Sequence, residues 1–469
     1  MPNLLFVFPD QFRRQALGFM RQDPVITPHL DRFAVDGLVL TQAVSNCPLC
    51  SPYRASLLTG KYPFGNGVVT NCNSASPAME LGVHDSCLSD VLRRAGYDCG
   101  YIGKWHLEAP HPPYVEPPRD DDDLVWDEFT PNGPRRHGFA FWHSYGCCDA
   151  HLAPHYWDND APRDRPLRVD DWSPRHEADV AIDFLRRHAP GPNGASRPFA
   201  LFVSMNPPHT PFEQVPPEYV ARYGEATPRE LLNRPNVDLR RDSAATQRAA
   251  RSVKNYFAAV TGVDEQFGRI VGALDELGLR EDTIVVFTSD HGEMMGSHDL
   301  MHKTYAYEES LGVPFILRWP GRVTARHDDL LLSVPDLMPS LLGLMGLAHR
   351  TPHGVEGVDL SPAFMGGNPR RPESATYFRI LPALPRAGSR GLRTSRYTYA
   401  IDAAEEAPGF RVRLFDNRDD PYQLRDVSVA QSRLTRELHG HLRDELTRVG
   451  DTWPLPLDVA PLLAAPASA

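Results

Sequence analysis

Five short apolar runs, residues 4–8, 37–44, 97–102, 199–204 and 283–288, most limit how this chain can fold. Runs of that length with little polar alternation need apolar neighbours on both faces, the condition of a strand inside a parallel sheet. Helical patterns lie between them. Residues 88–95 read as one helix, and Ala178, Ala181, Ile182 and Leu185 mark another through their i, i+3, i+4, i+7 spacing. The longest, over 244–277, places Val253, Tyr256, Phe257, Val260, Phe267, Ile270 and Leu274 on one stripe and stops at Gly278. Such stripes are core, not a cofactor box. A further strand is expected over 313–317, and a helix carrying Leu337, Leu341 and Leu344. The expected fold class is α/β, with a large mixed, mostly parallel central sheet flanked by helices.

The pattern changes near residues 365–375, where Gly366-Gly367-Asn368-Pro369 marks a boundary. Beyond it, 376–380 and 393–401 alternate as antiparallel strands do, and 429–449 reads as a terminal helix. The predicted organisation is an α/β domain over 1–370 and a smaller C-terminal α+β subdomain over 371–469. Within the first, 108–173 is irregular. Its 120–123 run reads as a solvated acidic loop; its aromatic segment, 139–157, either lines a pocket or packs against the body.

Each of the five runs ends at residues that carry chemistry. Asp10 and Gln11 follow the first, and the second leads to a turn holding Cys50 and Arg54. The third delivers Lys104 and His106, the fourth His209, and the fifth Asp290 and His291; a polar loop with His298, His302 and Lys303 comes next. In an open α/β sheet, ligands bind beyond the carboxyl ends of the strands, so these side chains can face one crevice although hundreds of residues separate them. Singly, each has an ordinary reading. Asp10 and Asp290 suit helix caps, His209 suits packing in a Pro-rich turn, and Lys104 suits a surface charge. Cys47-Pro48-Leu49-Cys50 fits a redox pair, and a lone buried cysteine is commonly structural. A helix starting near Pro52 would instead aim free N–H groups toward Cys50, where an anionic substrate would sit. The convergence favours a site.

The formal charge of -11, with no long Lys/Arg run, argues against a nucleic-acid partner, so any anionic substrate has to be met by a local cation cluster. The first eight residues lack the basic flank and cleavage site of a signal peptide and read as a strand, so a soluble, cytoplasmic protein is expected. The apolar stretch 330–348 contains Pro335, Asp336 and Pro339, which argues against a membrane span. Seven cysteines, an odd count, fit a reducing compartment better than a disulfide framework.

The stretch Cys50-Ser51-Pro52-Tyr53-Arg54-Ala55-Ser56-Leu57-Leu58-Thr59-Gly60 resembles the signature of type I sulfatases, formylglycine-dependent enzymes of the alkaline phosphatase superfamily. Leu414-Phe415-Asp416-Asn417-Arg418-Asp419-Asp420-Pro421 is similar to a segment of that family's small C-terminal subdomain. The resemblance implies that a maturase oxidises Cys50 to formylglycine, whose hydrate attacks the sulfur of a sulfated sugar or aryl sulfate. It implies a divalent metal at Asp10, Gln11, residue 50, Asp290 and His291: calcium first, with the imidazole tilting toward manganese and magnesium also possible. It further implies that Arg54 anchors the modified residue, that Lys104 contacts it and the sulfate, and that His106 takes the proton from its second hydroxyl. His209 and Lys303 would bind sulfate and help protonate the leaving alcohol. Two alternatives share much of this pattern: a phosphonate monoester hydrolase or phosphodiesterase of the same superfamily, and a non-catalytic binder of sulfated glycans with unmodified Cys50. The presence of Lys104 together with His106 leans against the first. Oligomeric state is open at this level.

Overall fold

The structure is a computed structural model and describes residues 1–76, 79–116, 123–190, 197–403 and 409–464; the acidic run expected at 120–123 lies, apart from Asp123, outside the described residues. Ten strands form the large sheet. They are β1 Asn3–Val7, β2 Leu38–Val44, β3 Asp98–Lys104, β4 Phe141–Tyr145, β5 His155–Asp158, β6 Leu167–Arg168, β7 Phe199–Ser204, β8 Thr283–Thr288, β9 Phe315–Arg318 and β10 Arg326–Ser333. Their order is β10-β2-β9-β8-β1-β7-β3-β4-β5-β6. The run from β8 through β1, β7 and β3 to β4 is parallel, as is the β10–β2 pair, whereas β9 runs antiparallel between β2 and β8. The mixed, mostly parallel α/β sheet expected from the sequence is therefore present.

Alternating strand residues feed two cores. Leu4, Phe6, Phe202, Ile284 and Val286 face one side, against the helices Cys50–Thr59, Leu88–Arg94 and Leu337–Leu344. Leu5, Val7, Leu201, Val203, Val285 and Phe287 face the other, against Ser173–His188 and the helix Ala244–Glu276. Both faces are covered, which explains why these strands show continuous apolar runs. No helix among the described residues is long and apolar enough to cross a membrane; the 330–348 stretch is divided between β10 and Leu337–Leu344.

Two expectations are corrected. The region 108–173 is not simply irregular, because β4, β5 and β6 lie within it and extend the sheet. They are short and separated by loops, so periodicity carries no signal over them. The aromatic residues there pack inward: Trp142, Tyr156 and Trp157 are at most 1% exposed, and Trp142 meets Tyr101 and Trp105 ring to ring. The strand expected at 313–317 begins at Phe315, after Pro314.

The C-terminal sheet is an antiparallel meander of β11 Ser374–Ile380, β12 Gly388–Thr394, β13 Tyr397–Ala403 and β14 Phe410–Asp416, backed by the helix Ser432–Arg448. The alternating stretch 393–401 is divided by a turn at Ser395-Arg396 into the end of β12 and most of β13.

Strand β3 meets β7 through a glycine that has no substitute. Gly103 has φ +90°, and an added Cβ would lie 2.1 Å from the Ser204 carbonyl oxygen. Gly103→Ala should therefore cost at least about 1–3 kcal/mol, read as a lower urea midpoint at unchanged m-value.

Candidate active site

The carboxyl ends of the parallel strands share one edge of the sheet, and the predicted side chains gather there. Asp10 follows β1, Lys104 ends β3, His209 follows β7, and Asp290 follows β8. Cys50 arrives from farther away, since β9 and β8 separate its strand β2 from β1. The turn that carries it back is pinned by Ser45, whose hydroxyl donates to the Asp290 carbonyl at 2.6 Å. The helix Cys50–Thr59 begins at Cys50, two residues earlier than expected, with no side-chain cap from Leu49. The free first-turn N–H groups expected from the sequence are largely occupied: Ser51 donates to Asn71 at 3.0 Å, Tyr53 to the Leu49 carbonyl at 3.1 Å, and Pro52 has none, so side-chain cations carry the positive charge at this site. Pro52 is tolerated in this first turn, and Gly60 at φ 67° closes the helix.

Arg54 projects one turn on and is almost completely buried. Its guanidinium donates to Asp10 Oδ2 at 3.1 Å, Asp290 Oδ2 at 3.4 Å, the Lys104 carbonyl at 2.6 Å and Ser204 Oγ at 2.6 Å. It also stacks over Phe8. Lys104 Nζ, equally buried, lies 2.7 Å from Asp10 Oδ2 and 3.1 Å from Asn206 Oδ1. Burial works to raise the Asp10 pKa, yet Lys104, His209, His291 and Arg54 together hold it well below its ordinary value. Asp290 responds differently: burial first, and then the Asp10 charge, push it up to about 6.

The ligand atoms of Asp10, Cys50, Asp290 and His291 all lie within 4.8 Å of one another. His291 Nδ1 is 3.0 Å from the Gly292 carbonyl, which can only accept, so Nδ1 carries the proton. The Nε2 lone pair then points at Asp10 Oδ1 and Cys50 Sγ, each 3.4 Å away. Lone pairs converging beside two buried carboxylates fit a divalent cation, with a backbone carbonyl orienting the imidazole as in many metal sites. Gln11, also expected as a ligand, borders this group. Its amide donates to Glu293 and accepts from Lys303 Nζ at 2.8 Å, while its backbone N–H reaches Asp290 Oδ1 at 3.0 Å.

The two expected acid–base histidines have opposite environments. His106 Nε2–H donates to the Cys72 carbonyl at 3.0 Å, leaving the buried Nδ1 without a hydrogen-bond partner. Burial, the largest influence, and the Lys104 charge keep His106 below its usual pKa despite Cys50 nearby. His209 donates from Nδ1 to the Thr210 carbonyl at 2.7 Å, with Asp149 Oδ1 at 3.5 Å. Burial, Lys303 and Lys104 lower its pKa, but Asp10 and Asp149 prevail and raise it to about 9. One imidazole is thus held neutral and the other protonated near pH 7, the arrangement of a base and an acid.

Sequence reading missed four supports. Ser204 holds Arg54, Glu293 holds Gln11, and Asn206 links Lys104 to Asp149 and to the Cys148 carbonyl. Asp149 in turn faces His209. Asn206 sits three residues before His209, so position was a usable signal; an amide in a Pro-rich turn is otherwise unremarkable. Within the 139–157 aromatic segment, it is the turn at Cys148 and Asp149 that borders the site. Cys47, the other half of the possible redox pair, is a free thiol packed with Tyr62 and Phe378, and burial pushes it up to about 12. An inert thiol there removes the case for a redox pair.

Comparison with known proteins agrees with this geometry. The family model described as Sulfatase matches residues 2–347, and a model of the C-terminal region of N-sulphoglucosamine sulphohydrolase matches 296–451. The chain belongs to the sulfatase family. It is accordingly a sulfuric ester hydrolase. An endo-4-O-sulfatase of Bacteroides thetaiotaomicron is 40% identical, with 96% of this chain and 93% of that protein covered. An ulvan-active sulfatase of Formosa agariphila is 34% identical, over 96% of this chain and 82% of its own. A crystal structure from Bacteroides fragilis, assigned as the sulfatase yidJ, superposes with a TM-score of 0.90 at 41% identity, covering 96% of both chains. Sulfatases in general use a divalent metal and a formylglycine, and the buried Asp/Cys/His group is where this chain would hold them.

Metal dependence of stability checks the cation assignment. Calcium or manganese added to chelator-treated protein should raise Tm, reaching about 2.7 kcal/mol at a hundredfold excess over Kd. In Asp290→Ala that gain should disappear.

Proposed function

We propose that this sulfatase hydrolyses a sulfate ester on a saccharide, using a formylglycine that a maturase makes from Cys50. The cation would be calcium, with manganese or magnesium as alternatives, held by Asp10, Asp290, His291 and residue 50. The observation that carries this reading is the placement of Cys50: first residue of its helix, with Sγ 3.9 Å from Lys104 Nζ and 3.4 Å from His291 Nε2. In the unmodified chain, Sγ marks where the hydroxyls of the hydrated aldehyde would attach. The bound cation would neutralise charge on the sulfate and lower the pKa of the nucleophile.

This chain's own residues supply the rest. Lys104, Lys303 and protonated His209 surround a group that stays anionic throughout, so their positive charge stabilises it without reorganisation. His209, through Nε2, is the proton donor to the departing alcohol oxygen. His106 accepts a proton from residue 50 through Nδ1, since its Nε2–H is committed to Cys72. Arg54 touches no substrate in this scheme; it fixes the charges that do. The likeness to an endo-4-O-sulfatase over nearly the full chain supports a 4-O-sulfated glycan as the substrate class.

Sulfated saccharide, aryl sulfate, phosphonate monoester and phosphodiester should be assayed side by side on protein co-expressed with the maturase. Sulfate esters are expected to dominate in kcat/KM; dominant phosphonate cleavage would replace this reading. Mass spectrometry of the residue-50 peptide should show the lighter formylglycine, and thiol alone would point to a binder. Cys50→Ala should abolish turnover and retain the fold.

A further inference from the structure

The C-terminal sheet reaches the edge of the active site through β11. The Tyr377 hydroxyl donates to the Thr304 carbonyl at 2.6 Å, and the Phe378 N–H donates to the Asn46 carbonyl at 2.7 Å. Thr304 adjoins Lys303, and Asn46 lies four residues before Cys50, so β11 touches both segments that carry the chemistry. Tyr377 and Arg379, two apart on one strand, leave the sheet on the same face. Arg379 accordingly extends over Tyr305, with Cζ 5.8 Å from the ring centroid.

Arg379 differs from the arginines of the neighbouring strands. Arg390 pairs with Asp451, Arg393 with Glu308, and Arg413 with Asp402. Among the described residues Arg379 has no carboxylate partner, and its buried Nε has no hydrogen-bond acceptor. Its backbone is nonetheless fixed, because it pairs with Ser389 across the sheet and its carbonyl accepts from Arg390 Nη1 at 2.9 Å. Both Arg379 and Tyr305 are half-buried. A guanidinium on a fixed backbone, stacked on an aromatic ring and with no carboxylate partner among the described residues, suits a planar or tetrahedral oxyanion. The net charge of -11 repels polyanions at long range, so capture has to come from such local cations.

We propose that Arg379 and Tyr305 form a saccharide subsite for a second oxyanion, a carboxylate or a sulfate, on the sugar unit next to the one whose ester is cleaved. The proposal rests on the sulfatase reading and adds its substrate class: a saccharide bearing at least two anionic groups. Lys303 meets the reacting sulfate, and Arg379, beyond Thr304 and Tyr305, meets the second group, with the Tyr305 ring available to the sugar face between them.

The test uses matured wild-type enzyme, Arg379→Ala and Arg379→Lys with four probes. These are an aryl sulfate, a 4-O-sulfated oligosaccharide with neutral neighbours, one with a neighbouring uronate, and one with a neighbouring second sulfate. In Arg379→Ala, KM for a doubly anionic probe should rise at least tenfold more than KM for the singly anionic ones, with partial rescue by lysine. Which doubly anionic probe is affected tells carboxylate from sulfate. Equal losses on all four probes, or none, overturn the proposal. Calorimetric titration of the same oligosaccharides into Cys50→Ala protein, with and without Arg379→Ala, reads binding without turnover. Loss of the preference for the doubly anionic probe is expected there, and an unchanged preference overturns the subsite. A wild-type enzyme that cleaved only phosphonates would refute the sulfatase reading by itself, while the titration would still judge Arg379.

Discussion

One buried guanidinium holds the active site together. Arg54 reaches from the first turns of the Cys50 helix to the carboxylates after β1 and β8, the last carbonyl of β3 and the last side chain of β7. Four strand ends and the helix that begins at Cys50 are thereby fixed to one planar group. Burial works against its charge, but Tyr101, Asp290, Asp10 and Cys50 hold the proton on still more firmly than in water. Breaking such a buried set by removing one partner typically costs about 3–5 kcal/mol, because the remaining charges stay uncompensated. Stability and catalytic geometry here draw on the same contacts.

The charges around Arg54 form a graded system. Asp10 faces Arg54, Lys104 and two imidazoles and remains ionised; at Asp290, which also meets Arg54 and His291, burial and the Asp10 charge prevail and push the other way. Two carboxylates and an imidazole lone pair within one small volume make a cation the natural completion. The same field separates the histidines, since burial and Lys104 dominate at His106 whereas carboxylates prevail at His209. A single arrangement of charge thus sets apart a candidate cation site, a neutral imidazole and a protonated one.

Much of this was legible in the sequence for a mechanical reason. Strands covered on both faces write themselves as apolar runs, and parallel strands put their carboxyl ends on one edge, so Asp10, Lys104, His209 and Asp290 declared their neighbourhood through position alone. Strand order was not legible. Nothing in residues 37–44 indicates that β9 and β8 separate β2 from β1, or that Ser45 brings the chain back. The strands β4 to β6 were hidden because each is short, β6 being only the exposed pair Leu167–Arg168. Hydrogen-bond supports such as Ser204, Asn206 and Glu293 were hidden for a different reason: a polar residue's partner is decided by tertiary approach, and a sequence displays the residue without the approach. Gln11 shows the same limit: its place after β1 was legible, and its amide partners Glu293 and Lys303 were not.

The loop that presents Lys303 shows how such a site is maintained. Met295, His298, Asp299, His302 and Thr304 all have positive φ, a dense run of conformations that side chains disfavour. Such a backbone persists only where its surroundings over-determine it. Glu293 accepts from the N–H groups of both Met295 and His302, the Asn236 carbonyl accepts from His298, and Tyr377 of the C-terminal sheet holds the Thr304 carbonyl. Glu293 also anchors Gln11, which receives Lys303. The strained loop is therefore clamped by one carboxylate, Glu293, on the side of Gln11 and by β11 on the far side. This gives the C-terminal sheet a part in positioning Lys303 that its distance in sequence from Cys50 conceals.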